Sequence, residues 1–470
     1  MFIHRENFKR VGNIVYRGYY RKLFRYAVAV LRQTRIPILK TNSLWIGVLQ
    51  KNLLRYRLKF EEAIVQGKKE IKKQGADKNG LLVMLQSNRE FVRALRDIGD
   101  GIAWRNLNFE RPLLRVMSEN VGHASISQDY KALDWRLGAR RDRKDKVLIN
   151  DLTHCLRIAD LTVITRDGKI LLYELKGDKA IDAGQIIQEM KEHRGDRWRQ
   201  RQFRQNIRHW VAQMAFVERK VQVKGNQVHI IDLDFKIKTH IKTIKKLFRK
   251  ANRVGSATAL LEKGYYVGVG SFEKLYNTRN SGKIDEKIKE IISFSPSKNG
   301  WSNMTLPFSN YDTFYSNLGD WFRNITPYSV LPLSIKNCAR LMMGQLYLQF
   351  YFDFGELKKR FEDVGWTVEI SDLSVIKKQN EEAIKKMQAG QILMFDSMVN
   401  ETIFKISKTD GNGLYKADLP VNRIMIMLSS FYKIDYVIDL METAHINAQV
   451  RDVRGQYSAH NCIQEIKILK

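Results

Sequence analysis

The sequence contains few of the residues that build disulfide frameworks or zinc centres. Three of its 470 residues are cysteine and nine are histidine. Cys155, Cys338 and Cys462 stand far apart and show no paired spacing, whereas structural zinc sites and small secreted folds use closely spaced ligands or disulfide pairs. Because isolated thiols favour a reducing environment, we expect a cytoplasmic protein without a zinc site.

Long apolar stretches and nucleotide-binding loops are also lacking. The apolar run at 341–354 is shorter than the roughly 20 residues that a helix needs to cross a bilayer. The run at 421–440 contains Arg423, Lys433 and Asp435, which are costly inside a membrane. No Walker lysine follows a Gly-rich loop. We therefore expect neither an integral membrane segment nor an ATPase module, and any motor would be a separate partner protein.

Positive charge is what the sequence has in excess. It contains 81 Lys and Arg against 50 Asp and Glu, a formal net charge of +31, and 44% of its residues are hydrophobic. That apolar fraction is ample for packed cores, and the length favours two or three domains. The charge points to a polyanionic partner, either a nucleic acid or, as the main alternative, an anionic membrane surface.

One part of the sequence predicts a β-hairpin. Residues 156–165 and 169–176 are two stretches rich in apolar and β-branched side chains. The dipeptide Asp167-Gly168 lies between them, and Asp-Gly between two such stretches is a strong hairpin signal.

The turn leaves two registers open. A two-residue turn pairs Asp160 with Leu175, whereas a three-residue loop with Gly168 in the left-handed conformation pairs Asp160 with Glu174. A slip of one residue exchanges the two faces of a strand. We predict the second register, which gives the hairpin one continuous apolar face. That face consists of Ala159, Leu161, Val163, Leu171, Tyr173 and Leu175.

Three ionisable residues share the opposite face in this register. Asp160 and Glu174 lie directly across from each other, and Lys176 lies two residues beyond Glu174. Burying these groups without partners would be costly. Two carboxylates and an ammonium can hold a divalent metal and a water beside a phosphodiester. The alternative is a solvated Glu–Lys pair on an edge strand, which is common and contributes little.

The spacing Asp160-(thirteen residues)-Glu174-Leu175-Lys176 resembles the core motif of the PD-(D/E)XK nuclease superfamily, the restriction-endonuclease-like fold. The resemblance covers about a third of the chain, residues 80–235. It implies an α-β-β-β-α-β core, with the metal-binding acid on the second strand and the Glu-x-Lys on the third. Ala159 replaces the proline of the literal motif, at a position that varies in the family.

The resemblance also implies a mechanism. Asp160, Glu174 and the Leu175 carbonyl would bind Mg²⁺ or Mn²⁺, which prefer oxygen ligands. The metal would lower the pKa of a bound water beside the scissile phosphate. Lys176 would orient that water or stabilise the developing negative charge.

The family often adds an acid from the first helix. Residues 81–98 match such a helix, and Glu90 is its most central acid. Glu90 is therefore a candidate catalytic residue. The alternative is a solvated helical residue beside Arg89 and Arg93.

The segment after the hairpin is strongly cationic. Residues 185–194 and 197–220 predict helices, and their arginines are candidates for phosphate contacts. These are Arg194, Arg197, Arg199, Arg201, Arg204 and Arg208. RecB-like relatives of the superfamily carry a Gln-xxx-Tyr pattern here. This chain matches it only loosely, because no tyrosine stands four residues after Gln202 or Gln205. The corresponding polar candidates are Gln185, Gln188, Gln202 and Gln205. A last core strand is predicted at 227–233 and a basic helix at 239–252.

The remaining sequence predicts accessory regions. We expect a basic helical N-terminal region at 1–78, a nuclease domain at 79–270 and an α-rich α+β accessory domain at 271–470. The last should contain a long helix at 333–364, either continuous or broken at Phe354-Gly355, short strands at 366–370, 391–395 and 402–406, and a final helix at 420–443.

The fold class expected is α/β, with a central mixed sheet flanked by helices. The expected function is a metal-dependent nuclease acting on DNA, with RNA as the second substrate, and by analogy a role in microbial defence or restriction. A non-catalytic nucleic-acid-binding or assembly protein and a basic peripheral membrane protein are the alternatives. A homo-oligomer is compatible with all three.

Overall fold

The chain forms two compact units. The first comprises Met1–Ile230 and Pro327–Gly344, and the second comprises Ile231–Thr326 and Gln345–Lys470. The structure is a computed structural model. The residues that it describes are 14–35, 43–73, 78–107, 145–156, 160–166, 168, 170–176, 179–182, 220–223, 226–229, 238–271, 326–352, 354–370, 403–410, 413–420 and 431–451.

Three helices open the first unit: α1 (Ile14–Thr34), α2 (Ser43–Lys72) and α3 (Lys78–Asn106). In α2 the buried residues recur every three or four positions, which gives the helix one apolar stripe. Across the α2–α3 contact the rings of Phe60 and Phe91 meet edge to face, with centroids 4.7 Å apart. The prediction of a helical N-terminal region is confirmed for the residues described.

The side chains of Tyr19, Tyr20 and Leu23 on α1 face the interior of this unit. The Tyr19 hydroxyl donates a 2.6 Å hydrogen bond to Asn88 on α3. The Tyr20 hydroxyl donates to the Met343 carbonyl, and Leu23 is buried. Helix α1 therefore covers the helical core with these side chains.

A four-stranded antiparallel sheet follows. Its strands are β1 (Lys146–Ile149), β2 (Leu161–Ile164), β3 (Ile170–Lys176) and β4 (Lys179–Asp182), in the order β1-β2-β3-β4. The outer edge of β1 is closed by Gln50 from α2. The Gln50 amide donates to the Val147 carbonyl and accepts from the Ile149 N–H, both at 2.7 Å. A buried side chain thus takes the place of a neighbouring strand.

The strand expected at 227–233 belongs elsewhere. Strand β6 (Asn226–His229) pairs with β5 (Lys220–Val223) in a separate two-stranded sheet. The described strands of the first unit pair antiparallel throughout. A mixed α/β class is therefore confirmed, whereas the finer α-β-β-β-α-β arrangement is not.

The second unit begins with the basic helix α4 (Ile241–Val254), which confirms the predicted helix at 239–252. The next two strands form a hairpin, β7 (Ser256–Glu262) and β8 (Tyr265–Ser271). Strand β9 (Leu346–Phe352) completes a three-stranded sheet in the order β7-β8-β9.

The prediction of one long helix at 333–364 is wrong. The segment contains α5 (Ile335–Met342), then β9, then α6 (Phe354–Glu362). Gly344 has a left-handed φ of +66° and ends the helical stretch. The run at 341–354 is mostly apolar and has no clear period that separates a helix from a buried strand.

The last part of the second unit is a sheet followed by a helix. Strands β10 (Thr367–Ile370), β11 (Ile403–Asp410) and β12 (Gly413–Pro420) pair antiparallel. Two of the predicted strands, at 366–370 and 402–406, are confirmed, and the one at 391–395 lies outside the described residues.

The prediction of a helix starting at Pro420 is wrong. Pro420 is the last residue of β12, and helix α7 spans Ile434–Arg451. In the described part of the chain, no helix is long and apolar enough to cross a membrane. The predicted domain boundaries after residues 78 and 270 stay predictions.

Candidate functional site

The β2–β3 hairpin has the register predicted from the sequence. Leu161 pairs with Tyr173, and Val163 pairs with Leu171. Gly168 has a φ of +83°, the left-handed conformation that a three-residue loop requires. Continuing the ladder by one residue places Asp160 opposite Glu174.

The direction of the Asp160 peptide defines how closely these two positions face each other. The Asn150 N–H donates a 2.9 Å hydrogen bond to the Asp160 carbonyl, so the Asp160 carbonyl faces β1 rather than β3. The observed pairing ends at Leu161–Tyr173, and Asp160 and Glu174 are the next positions beyond it. If the ladder continued, they would form a non-hydrogen-bonded pair, in which facing Cα atoms are about 4.5 Å apart, closer than in hydrogen-bonded pairs.

The hairpin is buried on both faces. Leu161 and Val163, on one face, are 4% and 0% exposed. Thr162 and Ile170, on the other, are 0% and 5% exposed. Asp160 lies two residues before Thr162, at the end of this second face, and is partly exposed. An acid at the open end of a buried face can reach solvent and a ligand.

A short loop connects β1 to the segment before β2. Residues 150–156, which we call the Asn150 loop, begin with a 3-10 turn at Asn150–Leu152. The Asn150 side-chain oxygen accepts a 2.8 Å hydrogen bond from the Thr162 hydroxyl. The Asn150 carbonyl accepts from both the N–H and the hydroxyl of Thr153, each at 2.9 Å. The loop thus leaves β1 at the point where it contacts Asp160.

Asp100 on α3 fixes the other end of the Asn150 loop. One carboxylate oxygen accepts from the backbone N–H groups of His154 and Cys155, and the other lies 2.9 Å from His154 Nδ1. Burial alone would raise the pKa of Asp100, but the charge of His154 and these hydrogen bonds lower it below its ordinary value. The carboxylate is therefore stabilised in its ionised form.

Gly99 lets the loop approach α3 closely. A Cβ atom at Gly99 would lie 2.1 Å from the Leu152 carbonyl oxygen, a distance that no side chain tolerates. The helix and the loop are therefore in backbone contact beside Asp100.

A second buried acid lies one turn earlier on α3. The Asp97 carboxylate accepts from the N–H groups of Tyr328 (3.0 Å) and Ser329 (2.8 Å), at the start of a 3-10 turn spanning Tyr328–Val330. Burial, followed by the charge of Asp100, raises the pKa of Asp97 to about 7. Asp97 holds a distant segment of the chain against the helix.

Glu90 is buried, at 5% exposure, so the alternative of a solvated residue is wrong. Gln86 donates a 3.2 Å hydrogen bond to its carboxylate. Glu90 precedes Asp100 by ten residues, about 15 Å along the helix axis. Asp100 contacts the Asn150 loop, whereas Glu90 lies near the middle of α3. A role for Glu90 in the site stays a prediction.

The remaining predicted site residues lie outside what the structure describes. The backbone of Glu174, Leu175 and Lys176 belongs to β3, but their side chains are outside the described part. Two further sets of candidates lie wholly outside the described residues. They are the arginine set (Arg194, Arg197, Arg199, Arg201, Arg204, Arg208) and the glutamine set (Gln185, Gln188, Gln202, Gln205).

Among the described residues, no group of three or more His, Cys, Asp and Glu side chains could hold a metal ion. Because the Glu174 side chain is not among them, this finding does not test the Asp160–Glu174 pair. Cys155 lies close to Asp100, and burial and the Asp100 charge raise the pKa of its thiol well above the ordinary value, which disfavours the reactive thiolate form.

Sequence reasoning missed the residues that hold the loop: Asp100, Asn150 and His154. They meet through contacts between distant parts of the chain. One signal was present in the sequence. Gly99 and Gly101 flank Asp100 inside a helical pattern, where glycine usually has a packing reason such as close backbone approach.

No known family model, curated protein or solved structure matches this chain. Its function is therefore argued from the motif and from the geometry of the hairpin.

Proposed function

We propose that this protein is a metal-dependent nuclease that hydrolyses phosphodiester bonds, with DNA as the main substrate and RNA as the second. The observation that supports this most is the register of the β2–β3 hairpin. Continued by one residue beyond Leu161–Tyr173, this register would bring Asp160 and Glu174 opposite each other at the end of the sheet. Two carboxylates brought close together repel each other unless a cation or a proton lies between them.

The donor set fits a hard divalent ion. The carboxylates of Asp160 and Glu174 and the Leu175 carbonyl are oxygen donors of the kind that Mg²⁺ and Mn²⁺ prefer. The bound metal would supply an acidified water and offset the charge of the scissile phosphate. Lys176, two residues beyond Glu174 in β3, would hold the attacking water or stabilise the charge that develops on the phosphate.

The order of elements supports a PD-(D/E)XK-like arrangement around this site. A long helix, α3, precedes three antiparallel strands, β1 to β3. The acid comes at the start of the second strand and the Glu-x-Lys at the end of the third. This is the order that the motif implies for the first half of such a core.

The test is cleavage of plasmid, linear duplex and single-stranded substrates by the purified full-length protein with Mg²⁺, Mn²⁺ or EDTA. We expect cleavage with either metal and none with EDTA. Asp160→Asn, Glu174→Gln and Lys176→Met should each reduce the rate by about 10²–10³-fold, because removal of one electrostatic element of a catalytic site has an effect of that size. Asp151→Asn, in the neighbouring loop, should retain the activity. Wild-type rates in the Glu174 and Lys176 variants would reject the site.

A second candidate function is nucleic-acid binding without cleavage, and helix α4 favours it. Its apolar side chains Ile244, Leu247, Phe248 and Ala251 are buried. The opposite side of the helix exposes a cationic row, Lys242, Lys245, Lys246, Arg249 and Lys250. Such a row can bind phosphates independently of sequence. Salt-sensitive binding without cleavage under every metal would support this function. Liposome binding that outcompetes DNA would indicate an anionic membrane surface instead.

A further inference from the structure

Three polar residues form one row across three neighbouring strands. Asn150 continues the β1–β2 ladder opposite Asp160, since Ile149 pairs with Leu161. Continuing the β2–β3 ladder by one residue beyond Leu161–Tyr173 places Glu174 opposite Asp160. The row therefore runs Asn150–Asp160–Glu174, with the proposed metal position between the last two members. The motif that singled out Asp160 and Glu174 does not include Asn150.

Asn150 is built into the sheet as firmly as a core residue. It is 1% exposed. Its N–H contacts the Asp160 carbonyl at 2.9 Å, and its side-chain oxygen accepts from the Thr162 hydroxyl at 2.8 Å. Thr162 is 0% exposed and occupies the same face of β2 as Asp160. One asparagine thus contacts both the residue that bears the proposed ligand and the next residue on that face.

The direction of the bonds makes this contact specific for the metal site. Because the Asp160 carbonyl is turned toward Asn150, a ladder continued beyond Leu161–Tyr173 would bring Asp160 and Glu174 together in the closer kind of antiparallel pair. A change in the path of the Asn150 loop would rotate the Asp160 peptide and separate the two facing positions. The loop has no such freedom at its other end, where Asp100 holds His154 and Cys155.

We propose that Asn150 is a positioning residue of the metal site, which it maintains through its contacts with Asp160 and Thr162. The proposal rests on the proposed function. Groups that orient metal ligands typically affect metal affinity by about 10–100-fold when they are removed. Asn150 would act in this way without touching the ion.

Manganese binding by the full-length protein tests this, measured by titration calorimetry with Mn²⁺ alone and no substrate. Asn150→Ala removes the acceptor of the Thr162 hydroxyl. Thr162→Val removes the donor and keeps the shape, so it remains informative if the alanine variant folds poorly. Thr162→Ser keeps the hydroxyl and should rescue binding.

The matched control is Gln50→Leu. Gln50 is also a buried amide that holds β1, but it bonds the outer edge, at Val147 and Ile149. The Gln50→Leu variant should lower the melting temperature of the protein at least as much as Thr162→Val does. If Asn150 and Thr162 act only through stability, then Asn150→Ala, Thr162→Val and Gln50→Leu should change Mn²⁺ binding alike.

We expect Asn150→Ala and Thr162→Val to weaken Mn²⁺ binding about 10-fold, and Thr162→Ser and Gln50→Leu to change it less than about twofold. Equal Mn²⁺ affinities in wild type, Asn150→Ala and Thr162→Val would overturn the role of Asn150 while metal-dependent cleavage by the wild type still stood. A wild-type protein that neither binds Mn²⁺ nor cleaves would overturn both this inference and the proposed function.

Discussion

Two carboxylates organise the two units in a similar way. In the first unit, Asp100 accepts hydrogen bonds from two backbone N–H groups and lies 2.9 Å from His154 Nδ1. In the second, Glu262 at the end of β7 lies 2.6 Å from His240 Nε2, accepts from the Ile434 N–H at 2.8 Å and pairs with Arg360 at 2.9 Å. Each acid joins a histidine and a backbone segment distant in the sequence.

The electrostatics of the two acids also agree. Burial alone would raise the pKa of Glu262, but the His240 and Ile434 hydrogen bonds and the charges of His240 and Arg360 lower it below its ordinary value. Asp100 has a lowered pKa as well. Both groups therefore contribute stability that is present above the ordinary pKa of an acid and lost as the pH falls through the folded-state value.

What differs is the element that each acid holds. Asp100 fixes the loop that continues into Asp160, whereas Glu262 joins the end of β7 to the first residues of α7 and to α6. A buried acid–histidine pair is therefore not itself a sign of a functional site. Its relevance depends on the element that it holds, so changes at Asp100 should reach the proposed metal site and changes at Glu262 should not.

The largest effect on stability is expected for Glu262→Ala. It leaves His240 and the Ile434 N–H without this acceptor and removes one of the two carboxylates that Arg360 contacts at 2.9 Å, the other being Asp435. Removal of one partner from such a buried network costs about 3 kcal/mol. Urea unfolding followed by hydrogen exchange should show the loss in the second unit, and Mn²⁺ affinity should stay unchanged. The control is Glu362→Ala, whose exposed pair with Lys358 contributes at most about 0.5 kcal/mol.

Asp100→Ala should cost about 2 kcal/mol, because it leaves the N–H groups of His154 and Cys155 without an acceptor. Unlike Glu262→Ala, it should also weaken Mn²⁺ binding several-fold. Asp100→Asn retains the oxygen that accepts both N–H groups and should largely preserve the affinity. If Asp100→Ala lowers stability and leaves Mn²⁺ binding intact, the comparison between the two acids fails.

Asp97→Asn should have an effect that depends on pH. The raised pKa of Asp97, about 7, means that the folded state retains a proton that the unfolded state has lost between about pH 4 and pH 7. Asp97 therefore lowers stability as the pH rises through that window. The variant should cost on the order of 1 kcal/mol at pH 5, where one hydrogen bond is lost, and less at pH 8.

Urea titrations of the Asp97 variant at pH 5 and pH 8 measure that difference. The control is Glu62→Gln, at an exposed position of α2, which should show none. A cost for Asp97→Asn that is equal at both pH values would contradict the assignment.

The smallest effect is expected for Gly168→Ala. No atom lies within 4 Å of a Cβ at this position, so the cost is that of a left-handed φ alone, about 1 kcal/mol. Gly365 has a similar φ of +89°, and Gly365→Ala should cost about as much in thermal unfolding. Because Gly168 sets the hairpin register, its variant alone should weaken Mn²⁺ binding.

The hairpin could be predicted from the sequence because local signals agreed there. The Asp167-Gly168 dipeptide fixed the turn, and the apolar positions on both sides specified one register. Strand β9 could not be predicted in the same way, because the run at 341–354 is apolar at nearly every position. Its aromatic residues Tyr347, Phe350 and Tyr351 were a signal for a strand.

The candidate site was predictable only in part. Asp160 and the strand of Glu174 follow from a short spacing within one hairpin. The hydrogen bonds by which Asn150 and Asp100 hold the loop depend on how α3 packs against it, and no local sequence pattern encodes that packing. Pro420 shows the limit of a single residue, since proline is compatible both with a helix start and with the end of a strand.

The most direct test of the central claim is a Mn²⁺ titration followed by electron paramagnetic resonance, with wild type, Asp160→Asn, Glu174→Gln and the double variant. If the two acids share one ion, the wild type binds one Mn²⁺ tightly and each single variant loses most of that affinity. The double variant then loses less than the product of the two single losses, because the sites are coupled. A wild-type Mn²⁺ affinity in either single variant would contradict the account.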